Sequence, residues 1–492
     1  MLALDQGTTG STALLLDRRG RVVGRGYAEL PQHFPKPGWV EHDALEIWAS
    51  VERAAREALR SAGDGPGARV AAIGITNQRE TTVLWNRRTG RPVARAIVWQ
   101  DRRTHERCQA LKRRGLEIGI RRRTGLVLDP YFSATKLEWL LRESAARRAA
   151  AHRGELAFGT VDSWLLWKLT GGAVHATDPT NASRTMLYDI RERRWSAALL
   201  RRFGVPARVL PGVLPSSGRF GVTRGAGFVP DGVVIAGIAG DQQAALFGQG
   251  CVTPGSSKNT YGTGAFLLLH TGARAVASKA GLLTTIACGS RGEIAYALEG
   301  SVFIAGAAIQ WLRDGLGLMR QADESEALAR SVPDSGGVVL VPAFVGLGAP
   351  HWRADVRGAI IGLTRGTTRA HLVRAALESL AFQSCELVEA MERDARVRVK
   401  RLRVDGGASA NDLLMQIQAD LLGVPVERPR VIETTALGAG LLAGLAVGFW
   451  KSAREVDHAR EIERVFRPQH GAVWRRAEME RWNRAVSALL AP

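Results

Sequence analysis

Twice along this 492-residue chain an apolar strand runs into a polar turn rich in glycine and threonine and leaves it as a second strand, and this repeated device constrains the fold more than any other feature. In the first half Leu2 to Leu4 enters Asp5-Gln-Gly-Thr-Thr-Gly-Ser11 and Thr12 to Leu16 leaves it, which predicts a hairpin with a functional tip. In the second half Asn259-Thr-Tyr-Gly-Thr-Gly264 leads into the strand-like Ala265 to Leu269. The halves share this layout without sharing sequence, so the expected duplication is one of topology. At about 150 residues per domain the length allows two large units, and the boundary is expected as a short hinge near residues 248 to 256.

Between these turns, helical and strand periodicities mix, so the fold class is α/β. Ala44 to Ser61 places Leu45, Trp48, Val51, Ala55 and Leu59 on one helical stripe, and Val70 to Ile75 reads as a buried strand. Ser301 to Leu312 and Thr368 to Arg393 are expected helices, the latter with Val373, Leu377, Leu380, Leu387 and Met391 on one face. Leu402 to Val404 enters a third such turn, Asp405-Gly-Gly-Ala-Ser-Ala-Asn411, followed by a helix carrying Leu414, Ile417 and Leu421. Ala436 to Trp450 is apolar but interrupted by glycine and short for a bilayer, and is read as a core helix.

Three glycine-rich turns that follow apolar segments, at 5–11, 262–264 and 405–407, suit phosphate, because converging backbone N–H groups can cradle its oxygens. None is a P-loop, since GxxxxGK[ST] is absent. Asp5 and Asp241 end apolar runs, where a carboxylate caps a helix, pairs with a cation or metal, or performs acid–base chemistry. From spacing alone, capping of a helix over Ala244 to Phe247 is as good a reading of Asp241 as any. Thr76-Asn-Gln-Arg-Glu-Thr-Thr82 ends a strand with dense hydrogen-bonding groups that suit a polyhydroxylated ligand, or a polar loop. Ten histidines without an HExxH spacing, and no GxSxG elbow, leave zinc-hydrolase and serine-hydrolase chemistry without a signature.

The charge of +20 comes from 67 basic residues, only eight of them lysine, scattered in short runs such as Arg121-Arg122-Arg123. Without a recognition motif this reads as a solvated surface, and no nucleic-acid partner is expected. Four dispersed cysteines with no CxxC argue against disulfides or a thiolate metal site. No apolar span and no basic-then-apolar leader is evident, so a cytoplasmic location without membrane insertion is expected.

Taken together, Asp5 to Ser11, Pro35-Lys-Pro-Gly-Trp-Val-Glu-His-Asp43, Ile75 to Thr82 and Ile238-Ala-Gly-Asp-Gln-Gln-Ala-Ala-Leu-Phe-Gly248 resemble the FGGY carbohydrate kinases, and within them those that act on glycerol. The resemblance continues through Tyr131-Phe-Ser-Ala-Thr-Lys-Leu-Glu-Trp139, Asn259 to Gly264, Val404 to Asn411 and Gly444-Leu-Ala-Val-Gly-Phe-Trp450, covering essentially the whole chain. It implies two actin-like, ribonuclease-H-like domains around a cleft, residues 1–248 holding glycerol and residues 249–492 holding ATP.

The same resemblance implies residue roles. Arg79, Glu80, Tyr131, Asp241 and Gln242 would hold the glycerol hydroxyls, with Trp99 and Phe266 against the carbon skeleton. Asp241 would be the general base, and Asp5 with Asp241 the Mg²⁺ ligands. Thr8, Thr9 and Gly10 would face the phosphates from one side and Thr263 from the other. Gly306, Gln310, Gly407 and Asn411 would complete the nucleotide site. The implied reaction is transfer of the γ-phosphoryl group of ATP to glycerol, by a homo-oligomer. A kinase of a longer polyol or ketose, or a nucleotide-binding regulator without turnover, are the alternatives. One departure is plain: Thr12 stands where the family's first phosphate loop commonly carries arginine.

Overall fold

The computed structural model describes residues 1–63, 70–353, 355–452, 455 and 461–491. The first glycine turn does close a hairpin: strand Leu2–Gln6 pairs antiparallel with Gly10–Leu16, and Gly7 N donates to Gly10 O at 2.8 Å. On its other edge Leu2–Gln6 runs parallel to Ala72–Asn77, which runs parallel to Val234–Gly240. With Val22–Glu29 and Ser217–Val222 at the two edges, this makes a six-stranded mixed sheet.

The second half repeats the scheme. Strand Ser257–Tyr261 pairs antiparallel with Ala265–Gly272 and parallel with Leu402–Asp405, which is parallel to Val426–Pro429. Ile294–Val302, Leu283–Cys288 and Ile462–Phe466 extend it to seven strands. In both sheets the parallel strands end on the same side as the glycine-rich turns, where ligands of open α/β sheets collect.

Glycine decides how closely helices lie on the first sheet. Helix Ala44–Ser61, whose first turn is capped by Asp43 Oδ1 on Leu45 N at 2.8 Å, crosses strand Val22–Glu29 at Gly24 and Gly26, where any Cβ would overlap the Ala58 and Ala54 carbonyls. Helix Thr434–Ala446, although late in the chain, lies on the first sheet: a Cβ on Gly237 would come 2.5 Å from Ala443 N. The same helix crosses Asp241–Gly248, where Gly438 meets the Ala244 carbonyl and Gly248 the Thr434 carbonyl. One apolar cluster therefore joins Met1, Ala3, Leu14 and Ala239 to Ala436, Leu441 and Leu442.

Helix Arg369–Ala395 begins with a capping box between Thr368 and His371 and buries the expected stripe. The expected helix from Ser301 differs: Ser301 and Val302 finish strand Ile294–Val302, in register with Phe266 and Ala265, and the helix is Gly306–Asp314. The Val302-Phe303-Ile304 run favours an extended chain, and the ladder partner takes it as far as Val302. The four cysteines are buried. Among the described residues no helix is long and apolar enough to cross a membrane.

Candidate active site

Asp5 ends the strand Leu2–Gln6 one residue early, Asn77 ends the neighbouring Ala72–Asn77, and Asp241 opens the helix that follows Val234–Gly240. Three adjacent parallel strands thus deliver two acids to one edge. Burial, and after it the charge of Asp241, push the Asp5 carboxyl up to about 8. Asp241 is not the cap of its helix, since Gly240 occupies that place; its Oδ1 accepts Gln242 N at 2.6 Å and lies 2.9 Å from Arg79 Nε in an ion pair. Its side chain stays 29% exposed.

Behind Asp241 lies a buried network of charges. Arg79 Nη1 and Nη2 donate to the two oxygens of Glu299 at 2.7 and 3.0 Å, and Nη1 also to Gln243 Oε1 at 3.2 Å. Glu80, the only residue of this group with a left-handed backbone (φ 62°), accepts Arg184 Nε at 2.6 Å. Arg184 reaches Glu299 Oε1 through Nη2 at 2.9 Å and lies over the rings of Tyr131 and Phe132 at 5.6 and 5.4 Å. Burial would raise the Glu299 carboxyl, but the guanidiniums of Arg184 and Arg79 outweigh it and hold the group down at about 2. At Glu80 burial prevails over the same two cations and its carboxyl is raised. Burial pushes the Tyr131 hydroxyl up as well.

The aromatic expectations meet in space. Trp99 stands edge-on to Tyr131 at 5.4 Å and to Phe266 at 6.4 Å, and Phe266 comes from the second half of the chain. Trp99 Nε1 donates to Thr8 Oγ1 at 2.9 Å, tying the first glycine turn to this wall. Gln242 accepts from the fully buried Lys258, which also donates to Thr260 Oγ1 at 2.6 Å. Burial pulls that ammonium down to about 8, against the carboxylates of Asp405 and Asp241.

The turns of the second half form a group of their own. Gly306 N donates to Gly262 O at 3.0 Å, and Ala305 N and Ala307 N donate to Thr263 O at 2.9 and 3.1 Å, so the turn sits on the first residues of helix Gly306–Asp314. Gly406, at φ +83°, packs on the Tyr261 carbonyl where a Cβ would overlap it, which brings in Gly407 and Asn411. Asn411 caps the helix Asp412–Leu422 through Leu414 N at 2.9 Å and also donates to Ser325 Oγ at 3.3 Å. Thr263, Gln310 and Gly407 are exposed, as is Thr9, while Gly10 is buried against the Tyr27 hydroxyl. Thr12 lies opposite Asp5 in the hairpin ladder, and Arg102 is engaged with Asp129 at 2.7 Å.

Four side chains that sequence reading missed take part: Arg184, Gln243, Lys258 and Glu299. Glu299 had a signal, a single acid directly after the apolar run Ala295-Tyr-Ala-Leu298, as did Lys258, a lysine just before a glycine turn. Among the described residues no cluster of three or more His, Cys, Asp or Glu is arranged to hold a metal.

With this geometry in view, comparison with known proteins is specific. A model described as the FGGY family of carbohydrate kinases, N-terminal domain, matches residues 1–248, and its C-terminal counterpart matches residues 257–447. A protein of Trichlorobacter lovleyi named glycerol kinase is 60% identical over 487 residues, 99% of this chain and 98% of that one. A glycerol kinase of Bordetella parapertussis is 57% identical over 490 residues, 99% and 96% of the two chains. The solved structure of Plasmodium falciparum glycerol kinase with ADP matches with a TM-score of 0.93 at 36% identity, covering 100% and 98%. The xylulose kinase of Lactobacillus acidophilus, at 21% identity and a TM-score of 0.90, shares the fold.

Proposed function

The chain belongs to the FGGY family of carbohydrate kinases, and from that premise we propose that it transfers the γ-phosphoryl group of ATP to glycerol, giving sn-glycerol 3-phosphate and ADP. It is an ATP-dependent phosphotransferase with an alcohol as acceptor, built on two actin-like α/β domains. The observation that carries the reading is the pairing of Asp241 with Arg79 at 2.9 Å beside a second acid, Asp5, at the mouth of an otherwise buried polar wall.

In this mechanism Asp241 accepts the proton of the terminal hydroxyl as that oxygen bonds to the γ-phosphorus; the bond from phosphorus to the β-bridging oxygen breaks and ADP leaves. Little covalent work falls to the protein, so positioning and charge neutralisation dominate. Arg79 holds one oxygen of Asp241 and so fixes the direction of the carboxylate. Glu80, Tyr131 and Gln242 serve the remaining hydroxyls, and Trp99 with Phe266 covers the carbon edge and excludes water. A polyol hydroxyl left without a partner there would cost about 1–3 kcal/mol, so hydroxyl number is read directly. Thr8, Thr9 and Gly10 on one wall and Thr263 on the other receive the phosphates. Gly306 and Gln310, on the helix whose start adjoins the 262–264 turn, with Gly407 and Asn411, complete the nucleotide side; a helix start favours anions.

Asp5 and Asp241 would hold Mg²⁺. The donor set fits: Mg²⁺ takes one or two carboxylates and completes its shell with phosphate oxygens and water, and an acid pushed up to about 8 by burial, with a neighbouring acid adding to it, is one that a divalent cation keeps ionised. The ion, when bound, spreads the charge that develops on the transferring phosphoryl group. By the same reading residues 1–248 form the glycerol-holding unit and residues 249–492 the nucleotide-holding one. Buried cysteines and the use of ATP suit a cytoplasmic location, and the homo-oligomer expected from the family resemblance would be tested by light scattering.

The deciding experiment measures ADP release with MgATP and glycerol, dihydroxyacetone, erythritol or xylulose side by side. Glycerol should give the highest kcat/KM. Preference for erythritol or xylulose would overturn the substrate assignment, and ATP binding without transfer to any of them would overturn catalysis.

A further inference from the structure

Arg79 and Glu80 belong to the first half of the chain, yet what fixes them comes largely from elsewhere. A guanidinium has five N–H groups. In Arg79, Nη1 donates to Glu299 and Gln243 and Nη2 donates to Glu299, while Nε stands in an ion pair with Asp241 at 2.9 Å, so the Nε hydrogen and one Nη2 hydrogen are left outside these hydrogen bonds. Glu299 stands on strand Ile294–Val302 of the second sheet, between Leu268 and Leu283 in the ladder, with its side chain fully buried. Its second partner, Arg184, is also fully buried and passes the contact on to Glu80 at 2.6 Å, while Arg79 Nε lies 3.9 Å from the same Glu80 oxygen. The four charges close a ring, two cations and two anions. Arg184 Nη1 has no hydrogen-bond partner among the described residues, so its orientation rests on the two acids and the Tyr131 and Phe132 rings.

We propose that Glu299, acting with Arg184, is a positioning residue for polyol recognition: it aims the unengaged N–H groups of Arg79 and the carboxylate of Glu80 at the non-reacting hydroxyls, and so makes hydroxyl recognition by the first half depend on contact with the second. The inference rests on the glycerol-phosphorylating reading above. A buried ion pair tolerates no loose geometry, because separating its members leaves each charge desolvated and unpaired. An Arg79 without the two-pronged grip of Glu299 would swing toward Asp241 or Gln243, and Glu80 would lose Arg184 as its fixed partner. Glu299 itself touches neither the polyol nor ATP in this scheme.

The test compares the wild type with Glu299→Gln and Arg184→Lys, using glycerol and propane-1,2-diol, which lacks one hydroxyl. In Glu299→Gln the shape persists and the charge is gone; in Arg184→Lys the charge persists and the fork is gone. Each variant should raise the glycerol KM roughly ten-fold or more while the ATP KM stays within about two-fold, the signature of lost binding on one substrate only. The preference for glycerol over propane-1,2-diol should shrink, because the variants handle the extra hydroxyl poorly. Parallel changes in both KM values with the preference intact would mark a merely structural role and overturn the proposal, as would unchanged kinetics. If Glu299→Gln does not fold, Arg184→Lys carries the same readouts. A wild type with no turnover on glycerol would instead sink the functional reading.

Discussion

Arg79 Nε stands in an ion pair with Asp241 Oδ1 at 2.9 Å while both of its terminal nitrogens grip Glu299, so a guanidinium from the first half joins the partly exposed Asp241 to an acid buried in the second sheet. Arg79 is thereby held at three points, and the carboxylate of Asp241 takes its direction from a group that cannot rotate. Preorganisation of this kind is what in-line transfer needs, since the reacting oxygen and phosphorus must meet with little freedom left to lose.

Replacing Asp241 with asparagine keeps the shape and removes the base. Because the side chain is only partly buried, the fold should persist, and kcat for glycerol should fall by about 10²–10⁴-fold. An ADP-release assay checks it; near-normal turnover would remove Asp241 from the mechanism.

Chelation with EDTA should abolish transfer and added Mg²⁺ should restore it. In Asp5→Asn the Mg²⁺ concentration giving half-maximal rate should rise at least several-fold, with the glycerol KM little changed, if Asp5 holds the ion. A variant with the wild-type Mg²⁺ dependence would place the ion elsewhere.

Gly438 has no room for a methyl group, because a Cβ there would overlap the Ala244 carbonyl on the crossing helix. Gly438→Ala should therefore destabilise by about 1–3 kcal/mol, whereas alanine at Gly119, inside helix Glu117–Thr124 with only the tip of Arg123 nearby at 3.8 Å, should be neutral or slightly stabilising. Urea unfolding of the two variants measures the contrast.

Three buried imidazoles, His42, His175 and His270, predict part of how stability depends on pH. Burial pulls His42 down to about 4, with His33 adding to it; burial pulls His175 to about 4 against its backbone contact with Phe158, and His270 to about 4 against its backbone contact with Cys288. The unfolded chain takes up these protons near 6.5 and the folded one near 4. Their contribution is thus complete above pH 6.5 and is lost as the pH falls toward 4, at up to about 1.4 kcal/mol per pH unit for each histidine. Buried Asp5 and Asp162, raised to about 8 and about 7, act in the opposite sense over the same range, so the measure is a difference: the stability of wild type minus that of His42→Asn/His270→Asn, from urea unfolding at pH 7, 6 and 5, should shrink as the pH falls. An equal slope in the double variant would refute the assignment.

Much of the scaffold is written locally. The hairpin at Asp5 to Ser11, the stripe of Ala44–Ser61 and the third turn at Asp405 to Asn411 each depend on neighbours a few residues away, so residue period and glycine placement declare them. The same holds for Asp5 and Asp241 as acids at strand ends. Ser301 and Val302 were misjudged because a ladder partner, Ala265 to Phe266, outweighed helical spacing. Sequence alone therefore determined where strands break into anion-suited turns and which residues stand there. Only the tertiary structure decided what faces them: Arg79 and Glu299 are 220 positions apart, and Lys258 reaches Gln242 from a different sheet. Periodicity reports which face of an element is buried. It carries no record of which distant charge answers a buried one, because that choice is made by the Coulomb and desolvation energies of the assembled interior.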